Sequence, residues 1–188
     1  MDALLVSTFA VAIAEIGDKT QLLALVLAAR YRKPWPIIAG ILVATLFNHA
    51  LAGWIGSLVS GWVSPEVLRW GVVLSFLAVA AWALVPDKLD EDEARAPRFG
   101  PFLATLVAFF IVEIGDKTQV ATVVLAAQYE PLWQVVAGTT LGMALANVPV
   151  VLLGAAFAAK LPLKAARYAA AALFAGLGLW VAVVGLPG

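Results

Sequence analysis

EIGDKTQ stands at residues 15–21, and the same seven residues return at 113–119. The two copies belong to a longer correspondence. Shifted by 98 residues, the chain matches itself without a gap from residue 6 to residue 86, with 22 of 81 positions identical. Val26, Leu27, Ala28 and Ala29 return as Val124, Leu125, Ala126 and Ala127, Tyr31 as Tyr129, Trp35 as Trp133 and Gly40 as Gly138. Farther on, Arg69 meets Arg167 and Trp82 meets Trp180. Identities so clustered exceed what shared apolarity produces, so the chain reads as a tandem of one unit.

The unit is built for lipid. The 188 residues are 63% hydrophobic and 13% charged, with a mean hydropathy of +0.98. Soluble domains carry roughly a quarter charged residues, and a water-soluble fold of this length could not bury so much apolar surface. Charge, Pro and Gly mark off six apolar runs, at 4–29, 36–60, 65–85, 101–127, 132–159 and 164–186. Each passes the ~20 residues that a helix needs to cross a bilayer. Ser64 and Pro65 suit the N-cap and first helical position of the third run. Asp2, and the charges inside the first run, argue against a cleaved leader and for a retained first helix.

Three helices per unit is an odd number of crossings, so the second unit enters the membrane from the side opposite to the first. The expected fold is therefore an all-α membrane protein of six transmembrane helices in two inverted three-helix repeats, a recurrent plan of secondary transporters. Residues 1–86 form the first repeat, 87–100 a linker and 101–188 the second repeat. The linker's acidic run, Asp90 to Glu93, reads as an exposed loop rather than a metal site, because Pro86, Pro97 and Pro101 give it no rigid frame.

Lysine and arginine set the orientation. Arg30, Arg32, Lys33, Lys88, Arg95, Arg98, Lys160, Lys164 and Arg167 lie in loops on one side, and Arg69 alone lies on the other. The linker is therefore expected in the cytoplasm and both termini outside it, in a multi-pass protein of the cell (inner or plasma) membrane. Net charge is zero and Cys is absent. Nucleic acid is not an expected partner, and disulfides, thiolate metal sites and cysteine nucleophiles are excluded. A homo-oligomer is compatible with the sequence, though nothing in it specifies one.

The charges within spans are few: Glu15, Asp18, Lys19, Glu113, Asp116 and Lys117. Each costs about 3 kcal/mol at the centre of a bilayer helix, so they should face the bundle interior and serve a function. On a continuous helix Glu15, Asp18 and Lys19 share one face. Gly17 and Gly115 leave room for close helix contact or for local unwinding. Inverted symmetry would bring four carboxylates, Glu15, Asp18, Glu113 and Asp116, together with two charge-balancing lysines, Lys19 and Lys117. The sum is minus two, which a divalent cation neutralises, and hard oxygen ligands suit magnesium, calcium or manganese. The blander alternative is a salt-bridge network that only locks helices together. It leaves unexplained why carboxylates outnumber lysines.

Gln21, Gln119, Thr20, Thr118, Asn48 and Asn147 are possible further cation-site residues, although an interhelical hydrogen bond is the simpler role for either Asn. Pro149 should kink the fifth run and free a carbonyl. His49 aligns with Asn147. It is expected to pack or line a pore, and its chemistry would also suit a proton relay. Trp35, Trp62, Trp70 and Trp133 read as interfacial anchors, and Gly138-x-x-x-Gly142 as helix packing.

The doubled E-x-G-D-[KR]-[ST] pattern, as Glu15 to Thr20 and Glu113 to Thr118, resembles the Gdt-type cation/proton exchangers, which include bacterial manganese exporters and Golgi calcium/manganese exchangers. The resemblance covers nearly the whole chain. It implies that the motif acids bind the cation and carry proton coupling, that manganese or calcium leaves the cytoplasm in exchange for protons, and that the chain is no enzyme and needs no cofactor. A passive cation channel, an intramembrane acid-dyad hydrolase and a non-transporting scaffold are the rival readings. The lysines beside all four acids weigh against the hydrolase, which needs a neutral acid.

Overall fold

The computed structural model describes residues 2–86 and 100–186. The acidic run and most of the linker expected at 87–100 lie outside the described residues. Among the described residues the secondary structure is helical throughout: α1 (Ala3–Glu15), α2 (Lys19–Tyr31), α3 (Pro34–Trp62), α4 (Pro65–Ala83), α5 (Pro101–Glu113), α6 (Lys117–Gln128), α7 (Leu132–Leu153), the short α8 (Ala155–Ala158) and α9 (Leu163–Val184). Four of these, α3, α4, α7 and α9, are long and apolar enough to cross a membrane, while α1 and α5 are shorter apolar helices.

Two expected spans are thereby corrected. The first, read as continuous over 4–29, breaks between Glu15 and Lys19, and the fourth, read over 101–127, breaks between Glu113 and Lys117. Gly17 and Gly115 cause both interruptions. Their φ values of 84° and 76° lie in the region open to glycine but strained for other residues. Of the two roles open to these glycines, local unwinding is the one found. The fifth span is also shorter than 132–159: α7 ends at Leu153, where Gly154 adopts a φ of 73°. Pro149 lies inside α7. Ser64 caps α4 as expected, its hydroxyl accepting from the Val67 amide at 3.5 Å, with Pro65 in the first turn.

The bundle is apolar outside and polar at its centre. Phe47, Leu74, Leu145 and Val183 are among the exposed large side chains, and Trp35, Trp62, Trp70 and Trp133 are exposed too. Glu15, Asp18, Glu113 and Asp116 are buried. That inversion of the soluble pattern places apolar surface against lipid and polar groups against one another.

The helices cross in matching pairs at the 98-residue offset. α7 packs on α1 and its counterpart α3 packs on α5. A Cβ on Gly138 would come within 2.5 Å of the Leu4 carbonyl, and one on Gly142 within 2.6 Å of the Thr8 carbonyl. Gly40, the counterpart of Gly138, makes the same close approach to Phe102, at 2.8 Å. These glycines let backbones touch where lipid offers no hydrophobic force to join helices. α4 packs against its own counterpart, α9.

Candidate functional site at two helix breaks

Each break is a three-residue excursion with the same geometry. Ile16 and Asp18 are extended, as are Ile114 and Asp116. The Asp18 amide donates back to the Glu15 carbonyl at 3.0 Å, and the Asp116 amide to the Glu113 carbonyl at 3.1 Å. The glycine amide left over is taken by a side chain. Gln21 Oε1 accepts from the Gly17 amide at 2.9 Å, and Gln119 Oε1 from the Gly115 amide at 2.7 Å. Gln21 Nε2 also donates to the Ala146 carbonyl on α7 at 3.0 Å. In lipid an unpaired backbone group costs several kcal/mol, so a glutamine four residues after the glycine makes the unwound turn tolerable. The amide oxygens of Gln21 and Gln119, two of the expected additional cation-site groups, are thus engaged by the backbone.

The breaks also change how the acids meet. Glu15 ends α1 and Asp18 precedes α2, so they do not share a continuous helical face as i and i+3. They converge because the chain turns between them. Glu15 lies close enough to Asp18, Glu113 and Asp116 to interact with the charge of each, and Asp18 and Asp116 are neighbours. Glu15, Asp18 and Glu113 have no solvent exposure, and Asp116 has 2%. All four acids expected from the motif are therefore brought together. Among the described residues, however, no three Asp, Glu or His side chains are grouped closely enough to hold one ion in this conformation.

A lysine sits among them. Lys117 Nζ is 2.6 Å from Asp18 Oδ1, with the two side chains 3% and 0% exposed. Lys19, its counterpart, is only partly buried and lies near Asp116. The ion pair therefore joins the lysine of the second copy to the aspartate of the first.

The neighbouring polar groups divide into those that reach the acids and those that do not. Asn147 Nδ2 donates to Glu15 Oε1 at 3.4 Å and to the Met143 carbonyl at 3.2 Å. The Thr118 hydroxyl bonds Glu113 Oε1 at 3.4 Å and Asp116 Oδ2 at 3.5 Å. Thr20 is buried, but among the described residues its hydroxyl has no hydrogen-bond partner. Asn48 donates to the Phe110 carbonyl at 3.1 Å, an interhelical bond, and its Oδ1 has no hydrogen-bond partner among the described residues. His49 is fully buried, and neither ring nitrogen is hydrogen-bonded among the described residues.

One contact is absent from the expected set. Thr45 donates to Glu113 Oε2 at 3.4 Å from α3. It lies one helical turn before His49, and that i, i+4 relation is the signal that points to it. A cleft of about 140 Å³ opens beside the first break, lined by Gly17, Gln21, Ala158, Leu163 and Arg167 among others.

A lipid-facing bundle whose buried acids gather at two helix breaks has the architecture of an ion transporter. The sequence model of the divalent cation/proton antiporter GDT1 family matches residues 3–91 and 101–187, and the chain belongs to that family. It is 58% identical to a "Putative manganese exporter" of Vibrio cholerae serotype O1, over 93% of this chain and 87% of the relative. It is 28% identical to a GDT1-like protein of Synechocystis sp., over 87% of this chain and 88% of that one. It is 24% identical to GDT1-like protein 3 of Oryza sativa subsp. indica, over 95% of this chain and 72% of the relative. No solved structure matches the chain. The protein is a membrane transporter of divalent cations and not an enzyme.

Proposed function

We propose that the chain exports a divalent cation, manganese or else calcium, from the cytoplasm in exchange for protons. Glu15, Asp18, Glu113 and Asp116 are its shared cation site. The observation that carries this reading is the convergence of both helix breaks on one buried cluster of acids. Carboxylates are hard ligands suited to such ions. The carbonyls and amides of an unwound segment supply polar groups where an unbroken helix offers none. A relative at 58% identity named for manganese favours manganese over calcium.

The two halves act as inverted repeats around the site. Nine loop lysines and arginines against one put the linker in the cytoplasm and the termini outside. The cleft beside Gly17 and Gln21 is lined by Pro86 and Arg167, residues of the Lys/Arg-rich side, and is a route of entry from the cytoplasm. Protons and the divalent ion compete for the same carboxylate oxygens, so each lowers the other's apparent affinity by the same factor. An inward proton gradient then drives the metal outward. Asn147, Thr118 and Thr45 hold the acids in position. His49, buried in α3 one turn from Thr45, is the candidate proton relay.

The test is metal-resolved transport in proteoliposomes with an imposed pH gradient. Exchange requires that manganese movement reverse when the pH gradient is reversed. Flux that ignores the gradient would instead identify a passive channel.

A further inference from the structure

We propose that Lys117 is a tethered counter-cation that occupies the Asp18 pole of the site and is displaced by the transported divalent ion. This rests on the reading of the four acids as the cation site. Three observations carry it. The Lys117 ammonium lies 2.6 Å from Asp18 Oδ1, and neither side chain is more than 3% exposed. An ammonium at that distance fills the coordination space that a metal ion bound to the same oxygen would need. With Lys117 seated, no three acidic or histidine side chains among the described residues are grouped to hold one ion. The acids are gathered but not assembled, as expected where a built-in cation holds one pole.

The third observation is an asymmetry between the copies. Lys117 is buried, whereas Lys19 is partly exposed. Leu163 packs 2.9 Å from where a Gly17 Cβ would stand, whereas among the described residues nothing lies within 4 Å of the same position at Gly115. An exchange of surroundings between the two copies would give a second conformation of the same bundle. In that state Lys19 would be the buried lysine, seated on Asp116. The two lysines thus alternate, one closing the empty site in each state, and the divalent ion must displace whichever is seated.

Displacement can be read on the unaltered protein. Detergent-solubilised protein is labelled with acetic anhydride with and without manganese, and modification of Lys117 and Lys19 is quantified by mass spectrometry. Saturating manganese should raise Lys117 modification several-fold. Unchanged or reduced modification, with manganese bound, overturns the proposal.

Variants supply a second reading. Lys117→Gln should tighten manganese binding by at least about tenfold, because one unit charge within contact distance is removed, and should slow turnover in proteoliposomes. Lys117→Arg, which keeps the charge, should stay within a few-fold of wild-type affinity, and Lys19→Gln should shift affinity less than Lys117→Gln. A Lys117→Gln protein that binds manganese no more tightly overturns the proposal, and equal effects of the two Gln variants overturn the alternation. Wild-type protein that binds no divalent cation overturns the underlying cation-site reading itself.

Discussion

Phe76 and Phe174 stack with ring centroids 6.1 Å apart and planes inclined by 23°, both fully buried where α4 crosses α9. They are the same position in the two copies. Asp18 and Asp116 are a second pair of counterparts that lie near each other. A motion that exchanges the surroundings of the two copies would leave the acids central while changing which side of them is open, the condition that alternating access imposes on its site.

Orientation is testable because the chain has no Cys. A single cysteine introduced as Asp92→Cys should react with an impermeant maleimide only when the cytoplasmic face is accessible. Labelling of intact cells from outside would reverse the assigned topology.

Neutralising either glutamate should stop transport. Glu15→Gln and Glu113→Gln each keep the side chain's shape and remove one charge from a shared cluster, so neither copy can compensate. Both variants should extract as folded protein and lose nearly all manganese flux in proteoliposomes. Wild-type flux in either one rules out a single shared site.

The two motif glycines should differ in their tolerance of a methyl group. Alanine at either position meets the strain of a positive φ, about 1–2 kcal/mol. Gly17→Ala also places its Cβ 2.9 Å from a Leu163 methyl, whereas Gly115→Ala meets nothing within 4 Å among the described residues. Thermal unfolding in detergent should therefore show the larger loss for Gly17→Ala. Equal losses would mean that Leu163 yields without cost.

Gln21 should matter for stability as well as transport. Gln21→Leu leaves the Gly17 amide and the Ala146 carbonyl without their side-chain partner. The Gly17 amide is then left unpaired, at a cost of about 1–3 kcal/mol. A lowered unfolding midpoint, together with reduced flux, is the expected result. A variant as stable as wild type, but inactive, would instead move Gln21 from the backbone cap to the cation.

Much of the site was legible in one dimension. The doubled EIGDKTQ identified all four acids and both lysines as the groups that would meet, because charge within an apolar run is costly enough to require a partner. Thr118 is part of the repeated motif and Asn147 a polar group at matching depth, and both reach an acid. Thr45 was not, because one threonine in an apolar helix carries no cost that marks it out. The hydrogen bonds of Gln21 and Gln119 to the glycine amides were not legible, because those amides become available only once the helix breaks.

The sequence by itself determined the tandem, the apolar exterior and the identity of the central charges. These follow from composition and repetition, which need no coordinates. Tertiary structure decided the rest. Hydrophobic runs show where a chain can lie in lipid but not whether its helices are continuous, so the breaks at Gly17 and Gly115 read as spans. The pairing of Lys117 with Asp18 rather than with the Glu113 of its own copy is likewise a matter of how two helices cross. Local spacing favours the i, i+4 partner. The unwound turns, held by Gln21 and Gln119, bring Lys117 to the aspartate of the other copy.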